Sequence, residues 1–202
     1  MFVTLEGVDG AGKTTQARLL ADALGPGTLL LREPGGTPVG ERLRELLKDA
    51  SVGLTPRAEL LLFCAARSEL VERVIRPALE AGRDVVCDRF IDSTVAYQGG
   101  ARGIDPAVVG ALNEVAIAGC RPDRTVYLRL DPGRALERAG DREGAAGADD
   151  RFEREGAGFQ ATIAAAFEAT AVVEPERFVA VDAGGSVDEV HARVLEALGV
   201  ER

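Results

Sequence analysis

The sequence predicts an α/β three-layer sandwich, a parallel sheet of about five strands with helices on both faces. Short apolar runs alternate with longer stretches of helical period, and the candidate strands are apolar almost throughout rather than at every second position. Gly and Pro clusters mark the boundaries between them. A chain of 202 residues has room for one core and not comfortably for two, so 1–202 is read as a single domain.

Phe2 to Glu6 reads as a buried strand ending at Gly7, followed by a helix from Thr14 to Leu24 that Gly25-Pro26-Gly27 stops. Thr28 to Leu31 is the second strand, closed by Arg32-Glu33-Pro34-Gly35-Gly36, and a helix covers Gly40 to Leu47. Pro56 opens a long helix toward Ala81, with Gly82 as its stop. Asp84 to Cys87 is the third strand, leading into Asp88-Arg89; Pro106 starts a helix to about Ala118, and Thr125 to Leu130 is the fourth strand. After a helix beyond Pro132, Gly140 to Asp150 lacks an apolar period and reads as a mobile loop, a lid over about 139–151. A helix from Arg151 to Ala171, a fifth strand from Phe178 to Val181 and a helix from Val187 to Leu198 complete the chain.

Lys and Arg number 24 against 33 Asp and Glu, a net charge of −9, which excludes the basic footprint of a nucleic-acid binder or of an anionic membrane surface. Cys64, Cys87 and Cys120 are an odd, scattered set, against a disulfide framework or a zinc site and for a reducing compartment. The start of the chain does not read as a signal peptide, and nowhere do about 18 apolar residues run together, so a cytoplasmic protein without a membrane span is expected.

Gly7-Val8-Asp9-Gly10-Ala11-Gly12-Lys13-Thr14 matches the Walker A pattern G-x-x-x-x-G-K-[ST] in full, with a strand before it and a helix after it. The glycines let backbone N–H groups turn toward phosphate oxygens, and the helix adds its positive end. Lys13 reaches the β/γ-phosphates and the Thr14 hydroxyl ligates Mg²⁺. Thr15 follows within the ATP-binding stretch, and Asp88, at the end of the third strand, is the second candidate metal ligand. A GTPase would carry Asn-Lys-x-Asp, but the single asparagine, Asn113, precedes Glu114, so ATP is the better donor. Arg32, Arg44, Arg67 and Arg89 gather near the carboxyl ends of the strands, where open α/β sheets bind ligands, and their planar forks suit a second phosphate.

Several blocks carry a resemblance. Thr4-Leu5-Glu6-Gly7 through Thr15, Arg32-Glu33-Pro34-Gly35-Gly36-Thr37, Phe63-x-Ala65-Ala66-Arg67, Asp88-Arg89-Phe90-x-x-Ser93-Thr94-x-Ala96-Tyr97-Gln98-Gly99-Gly100, Arg121-Pro122-Asp123 and Asp150-Arg151-Phe152-Glu153 are similar to thymidylate kinase (dTMP kinase) of the bacterial type. The resemblance implies ATP-dependent phosphorylation of dTMP to dTDP on the route to dTTP, a P-loop NTPase fold and a homodimer. It places Phe63 on the thymine ring, Arg67 on its exocyclic oxygen, Thr94 at the N3 edge and Pro34 near the 5-methyl group. Arg44 and Arg89 hold the dTMP phosphate, and Asp9 contacts the acceptor sugar or orders the phosphates. Tyr97, with Gln98 nearby, fills the space of a ribose 2′-hydroxyl. On pattern alone, Phe63 at helical spacing with Leu60 and Leu62 reads more readily as a core residue, and Tyr97 reads also as a buried aromatic with a bonded hydroxyl.

No side-chain base is needed, because a phosphate monoester with a second pKa of ~6 is already largely dianionic at neutral pH. The requirement is alignment and charge compensation, from Lys13, Arg89, Asp9 and a lid arginine, for which Arg142 is the candidate because the P-loop has Gly10 where another type has arginine. Thr162, Ala164 and Phe167 depart from the family's Arg-x-Arg-x-x-Tyr-like run. The rival readings are another P-loop deoxynucleoside or nucleoside monophosphate kinase, and a nucleotide-binding regulatory protein without a phosphoryl acceptor.

Overall fold

The computed structural model describes residues 1–143, 151–152 and 155–200. Five parallel strands, β1 (Phe2–Glu6), β2 (Leu29–Arg32), β3 (Val85–Asp88), β4 (Arg124–Arg129) and β5 (Phe178–Asp182), form one sheet in the order β2-β3-β1-β4-β5. The path leaves β1 toward β2 on one side and returns past it to β4 on the other, so the topological switch lies between β1 and β3. Ligands bind at the carboxyl ends of the strands at such a point.

Alternate residues of the central strands face different cores. Val3 and Leu5 of β1 and Val86 of β3 join Ala17 and Leu20 of α1 (Lys13–Leu24) and Val190 and Val194 of α9 (Val187–Leu198). Phe2, Val85 and Cys87 join Leu70 of α3 (Pro56–Leu70) and Ile117 of α6 (Pro106–Ile117). Both faces of β1 and β3 are covered, which explains why their sequences are apolar throughout.

The helix expected from Pro56 toward Ala81 exists, but it contains a π-helical turn, Val71–Ile75, before α4 (Arg76–Glu80). Pro77 cannot donate to the carbonyl four residues back and its ring crowds that carbonyl, and the wider turn in front of it opens the necessary space. Gly82, at φ 73°, ends the helix as expected. The main element missing from the sequence reading follows β3: α5 (Ile91–Thr94) runs into a second π-helical turn, Val95–Ala101. The remaining helices are α2 (Pro38–Lys48), α7 (Pro132–Glu143) and α8 (Gly156–Val173). Strand ends differ from expectation by about one residue, as alternative boundary criteria do. Residues 140–143, expected in the mobile loop, continue α7 as helix, and residues 144–150 lie outside the described residues. α8 is, among the described residues, the one helix whose length and mean composition would let it cross a membrane, but Gln160, Thr162, Glu168 and Thr170 interrupt its apolar run. It buries Ile163 and Phe167 in the domain core, and its Glu168 pairs with Arg129 at 2.6 Å.

Glu6, at the end of β1, is fully buried. Its carboxylate accepts from the backbone N–H of Phe90 at 2.7 Å and of Ser93 at 3.1 Å, and from the Ser93 hydroxyl at 2.6 Å, which ties α5 to the sheet. Burial, reinforced by the Asp92 carboxylate, pushes Glu6 up to about 7 from 4.5. The folded chain therefore retains a proton that the unfolded chain releases, so this contribution is complete below about 4.5 and is lost as the pH rises through about 7. Urea unfolding midpoints should fall between pH 5.5 and 7.5 in the parent and fall less in Glu6→Gln. Equal slopes in the two proteins would show that Glu6 does not titrate in this window.

Candidate active site

The loop between β1 and α1 is built by steric necessity. Gly7, Gly10 and Gly12 have φ of 146°, 88° and 96°. A Cβ on Gly10 would lie 2.0 Å from the Ala135 carbonyl oxygen of α7, and one on Gly7 would lie 2.8 Å from that of Leu128. The chain packs against both places, so no side chain fits at position 10, and an arginine there is excluded by contact as well as by sequence. Val8 and Ala11 are buried, which fixes the loop from below. Lys13 is also buried and donates to the carbonyls of Gly7 at 3.0 Å and Val8 at 2.8 Å. Burial, with the Arg89 cation beside it, brings Lys13 down to about 8 in spite of Asp9, Asp88 and Glu6. Thr14 is exposed in the first turn of α1 and donates to Asp88 Oδ2 at 2.5 Å, while Thr15 is half-buried. The first turn of α1 contains no acidic residue, so its positive end faces the loop uncompensated from within the helix.

Arg89 joins this loop to the end of β3. Its backbone sits in the left-handed region at φ 71°, where a non-glycine residue costs roughly 1–3 kcal/mol, and its N–H is held by the Leu5 carbonyl at 3.0 Å. The guanidinium donates to the Gly7 carbonyl at 3.3 Å, to the Ser93 hydroxyl at 3.0 Å, to the Tyr97 hydroxyl at 3.1 Å and, very closely, to Asp9. Asp9 also accepts from the Tyr97 hydroxyl at 3.0 Å and from Gln160 Nε2 at 3.3 Å. Burial works to raise the Asp9 pKa, but the Arg89 and Lys13 charges and these hydrogen bonds outweigh it and hold the carboxyl well below the usual range. Burial keeps the Tyr97 hydroxyl protonated, its pKa raised above that of free tyrosine.

Arg67 is 1% exposed, and donates from Nε to Glu33 at 2.9 Å, from Nη1 to Asn113 Oδ1 at 2.7 Å and from Nη2 to the Phe90 carbonyl at 3.0 Å. Phe63, one turn earlier on α3, is half-buried, and its ring lies 5.9 Å from that of Phe152. Tyr97 stands between Phe152 and Phe159, with ring centroids 6.1 and 6.0 Å away. Thr94 is 1% exposed and its hydroxyl has no hydrogen-bond partner among the described residues. Arg44 donates to the carbonyl of the half-buried Pro34 at 3.0 Å. Gln98 is turned toward α3, where its Nε2 donates to Glu59 at 2.7 Å.

The structure therefore joins Asp9, Lys13, Arg89 and Tyr97 in one connected network, and Thr14 to Asp88. Arg142 belongs to α7, and its side chain lies outside the described residues. Sequence reasoning missed Glu33 and Asn113, which orient Arg67, and Gln160. A carboxylate accepts but cannot donate, so Gln160 presents its amide nitrogen to Asp9, and its buried Oε1 is left without a partner among the described residues. No local pattern marks Gln160, because its role depends on α8 packing beside the 95–101 turn. Of the departures, Phe167 is buried against Tyr127 and Phe178, Ala164 packs against the same core, and Thr162 is exposed, bonded to the Gly158 carbonyl at 3.0 Å.

Comparison with known proteins agrees with this geometry. The thymidylate kinase family model matches residues 5–194. A thymidylate kinase of Desulfovibrio desulfuricans is 48% identical over 205 residues, covering 98% of this chain and 94% of the relative. That of Syntrophotalea carbinolica is 46% identical over 199 residues, covering 96% and 92%. The crystal structure of the Ehrlichia chaffeensis thymidylate kinase superposes with a TM-score of 0.79 at 35% identity, covering 98% of each chain. The family model and these relatives match nearly the whole length of the chain, and the chain belongs to the thymidylate kinase family.

Proposed function

We propose that the protein transfers the γ-phosphoryl group of ATP to dTMP, with ATP on the Gly7–Thr15 loop and dTMP in the pocket formed by Phe63, Arg67, Arg89, Thr94 and Tyr97. The observation that carries this reading is the Arg89 guanidinium, anchored on Asp9 and Gly7 of the loop and bonded on its other side to Ser93 and Tyr97. One cation thus borders both nucleotide seats. The buried Thr94 hydroxyl, without a partner among the described residues, supports a ligand with a polar edge there. Arg67 supports it too: its named partners leave one Nη1 hydrogen for a carbonyl oxygen of the base. A nucleotide-binding switch needs no such second seat.

The reaction requires positioning more than proton transfer. The acceptor phosphate, with a second pKa of ~6, is its own nucleophile. Two polyanions converge, and Lys13, Arg89 and the loop amides offset their repulsion, while Asp9 and Ser93 hold the Arg89 fork in one orientation. The Thr14 hydroxyl and the Asp88 carboxylate, 2.5 Å apart beside the loop, are oxygen donors that suit Mg²⁺ with nucleotide phosphates and water. Mg²⁺ held there would neutralise charge between the β- and γ-phosphates. The face of α3 and α6 that bears Leu61, Val108 and Val115, exposed by 48%, 45% and 76%, supports a homodimer formed through these helices.

Arg89→Ala should lower dTMP-dependent ADP release by at least ~10²-fold while ATP binding is retained. Because the change takes one partner from Asp9 and leaves it Tyr97, Gln160 and Lys13, the assay should be run well below the variant's melting temperature. An unchanged rate would remove Arg89 from the acceptor seat. Thr94→Val, which keeps the volume and deletes the hydroxyl, should raise KM for dTMP by about fivefold with KM for ATP unchanged, the scale of one neutral hydrogen bond. If both constants move together, Thr94 serves the fold and not the base. Light scattering should give twice the chain mass for the parent and the monomer mass for Val115→Arg; a Val115→Arg dimer would place the interface elsewhere.

A further inference from the structure

Glu59 belongs to none of the groups that face either nucleotide, yet it is 1% exposed in the first turn of α3 and is approached from three directions, by two hydrogen-bond donors and an ion-pair partner. Gln98 Nε2 approaches at 2.7 Å, and Arg102 lays its fork across the carboxylate, with Nε at 3.2 Å and Nη2 at 3.3 Å. Arg151 Nη2 forms an ion pair with it at 2.9 Å. Arg102 also pairs with Glu155 at 2.6 Å, and Arg151 is fixed by the carbonyls of Leu47 and Lys48, each at 3.2 Å. One carboxylate thus links α3, the 95–101 turn and the chain on both sides of Phe152.

Each of the two arginines also lies over an aromatic ring. The Arg102 guanidinium stands 4.7 Å from the centroid of Phe159, and that of Arg151 stands 4.8 Å from Phe152. These are the rings that hold Tyr97 between them, and Phe152 also packs on Phe63. Each cation is attracted to its ring, but the two repel each other, and the Glu59 carboxylate paired with both offsets that repulsion. We propose that Glu59 is a positioning residue for the acceptor: its charge clamps Arg102 and Arg151 onto Phe159 and Phe152 and so sets the aromatic wall against which dTMP is bound. The inference rests on the assignment of this pocket to dTMP. It gives Glu59 no contact with the ATP loop, so its influence falls on one substrate.

Steady-state kinetics of the full-length protein, with melting temperatures measured in parallel, test the proposal. In Glu59→Gln, KM for dTMP should rise by about tenfold while KM for ATP stays within about twofold, since a wall that no longer holds its shape weakens acceptor binding. The double variant Glu59→Gln/Arg102→Gln removes a cation that has lost one of its two carboxylates and keeps only Glu155, and should recover part of the melting temperature without recovering KM for dTMP. Glu59→Asp retains the buried charge but is one methylene short of Gln98, Arg102 and Arg151; its KM for dTMP should rise by about threefold. Recovery of KM together with stability in the double variant, equal shifts in both KM values, or a parent-like KM in Glu59→Asp would each overturn the role. A parent protein that does not turn over dTMP would instead refute the pocket assignment itself, independently of any Glu59 variant.

Discussion

The parallel pairing of β1 with β3 is the constraint on which the remaining geometry depends. Leu5 stands opposite Asp88 in the register, and the next N–H along β3, that of Arg89, bonds back to the Leu5 carbonyl at 3.0 Å. The two strands therefore end side by side, one continuing into the glycine loop and the other into Arg89. The left-handed backbone at Arg89 is tolerated because this hydrogen bond and the side-chain bonds to Gly7, Asp9 and Ser93 all favour it together. A slip of one residue in this pairing would send Arg89 to the opposite face of the sheet and separate the two seats.

The protein is acidic overall, and its carboxylates explain how it holds cations where anions must bind. Glu33 fixes Arg67, Asp9 fixes Arg89 and Asp92 grips Arg177 through two hydrogen bonds of 2.8 and 2.7 Å. Exposed pairs such as Arg73 with Glu69 contribute roughly 0.2–1 kcal/mol. Breaking a buried pair by removing one partner costs about 3–5 kcal/mol, because the other charge is left in a poorly solvating interior. The Glu33–Arg67 pair is of the second kind, while Asp9 keeps 30% of its side chain exposed. The value of these pairs is orientation: a guanidinium with its donors already assigned presents the remaining ones in a fixed direction.

Glycine acts in the same way at the donor side. The loop at Gly7 and Gly10 is pressed onto the backbone of β4 and α7, so the cradle is shaped by what lies behind it as much as by its own conformational freedom. This contact couples the loop to α7, which leads into the segment expected to carry the lid. It also explains why positive charge for the transferred phosphoryl group cannot come from position 10 in this chain.

The sequence by itself determined the strand and helix order, because near-continuous apolar strands and amphipathic helices are local patterns, and it determined the Gly7–Thr14 cradle, because that chemistry lies within eight consecutive residues. It also marked Arg67, Arg89, Thr94 and Tyr97 through motif blocks. The helix after β3 escaped because Gly99 and Gly100 and a π-helical period give no 3.6-residue signal. Tertiary structure alone decided which carboxylate holds which arginine. Asp9 and Arg89 are 80 positions apart, Glu33 and Arg67 are 34 apart, and Gln160 reaches Asp9 across 151. Residues so distant in the chain meet only when the sheet order and helix packing bring them together, and one-dimensional spacing carries no record of that.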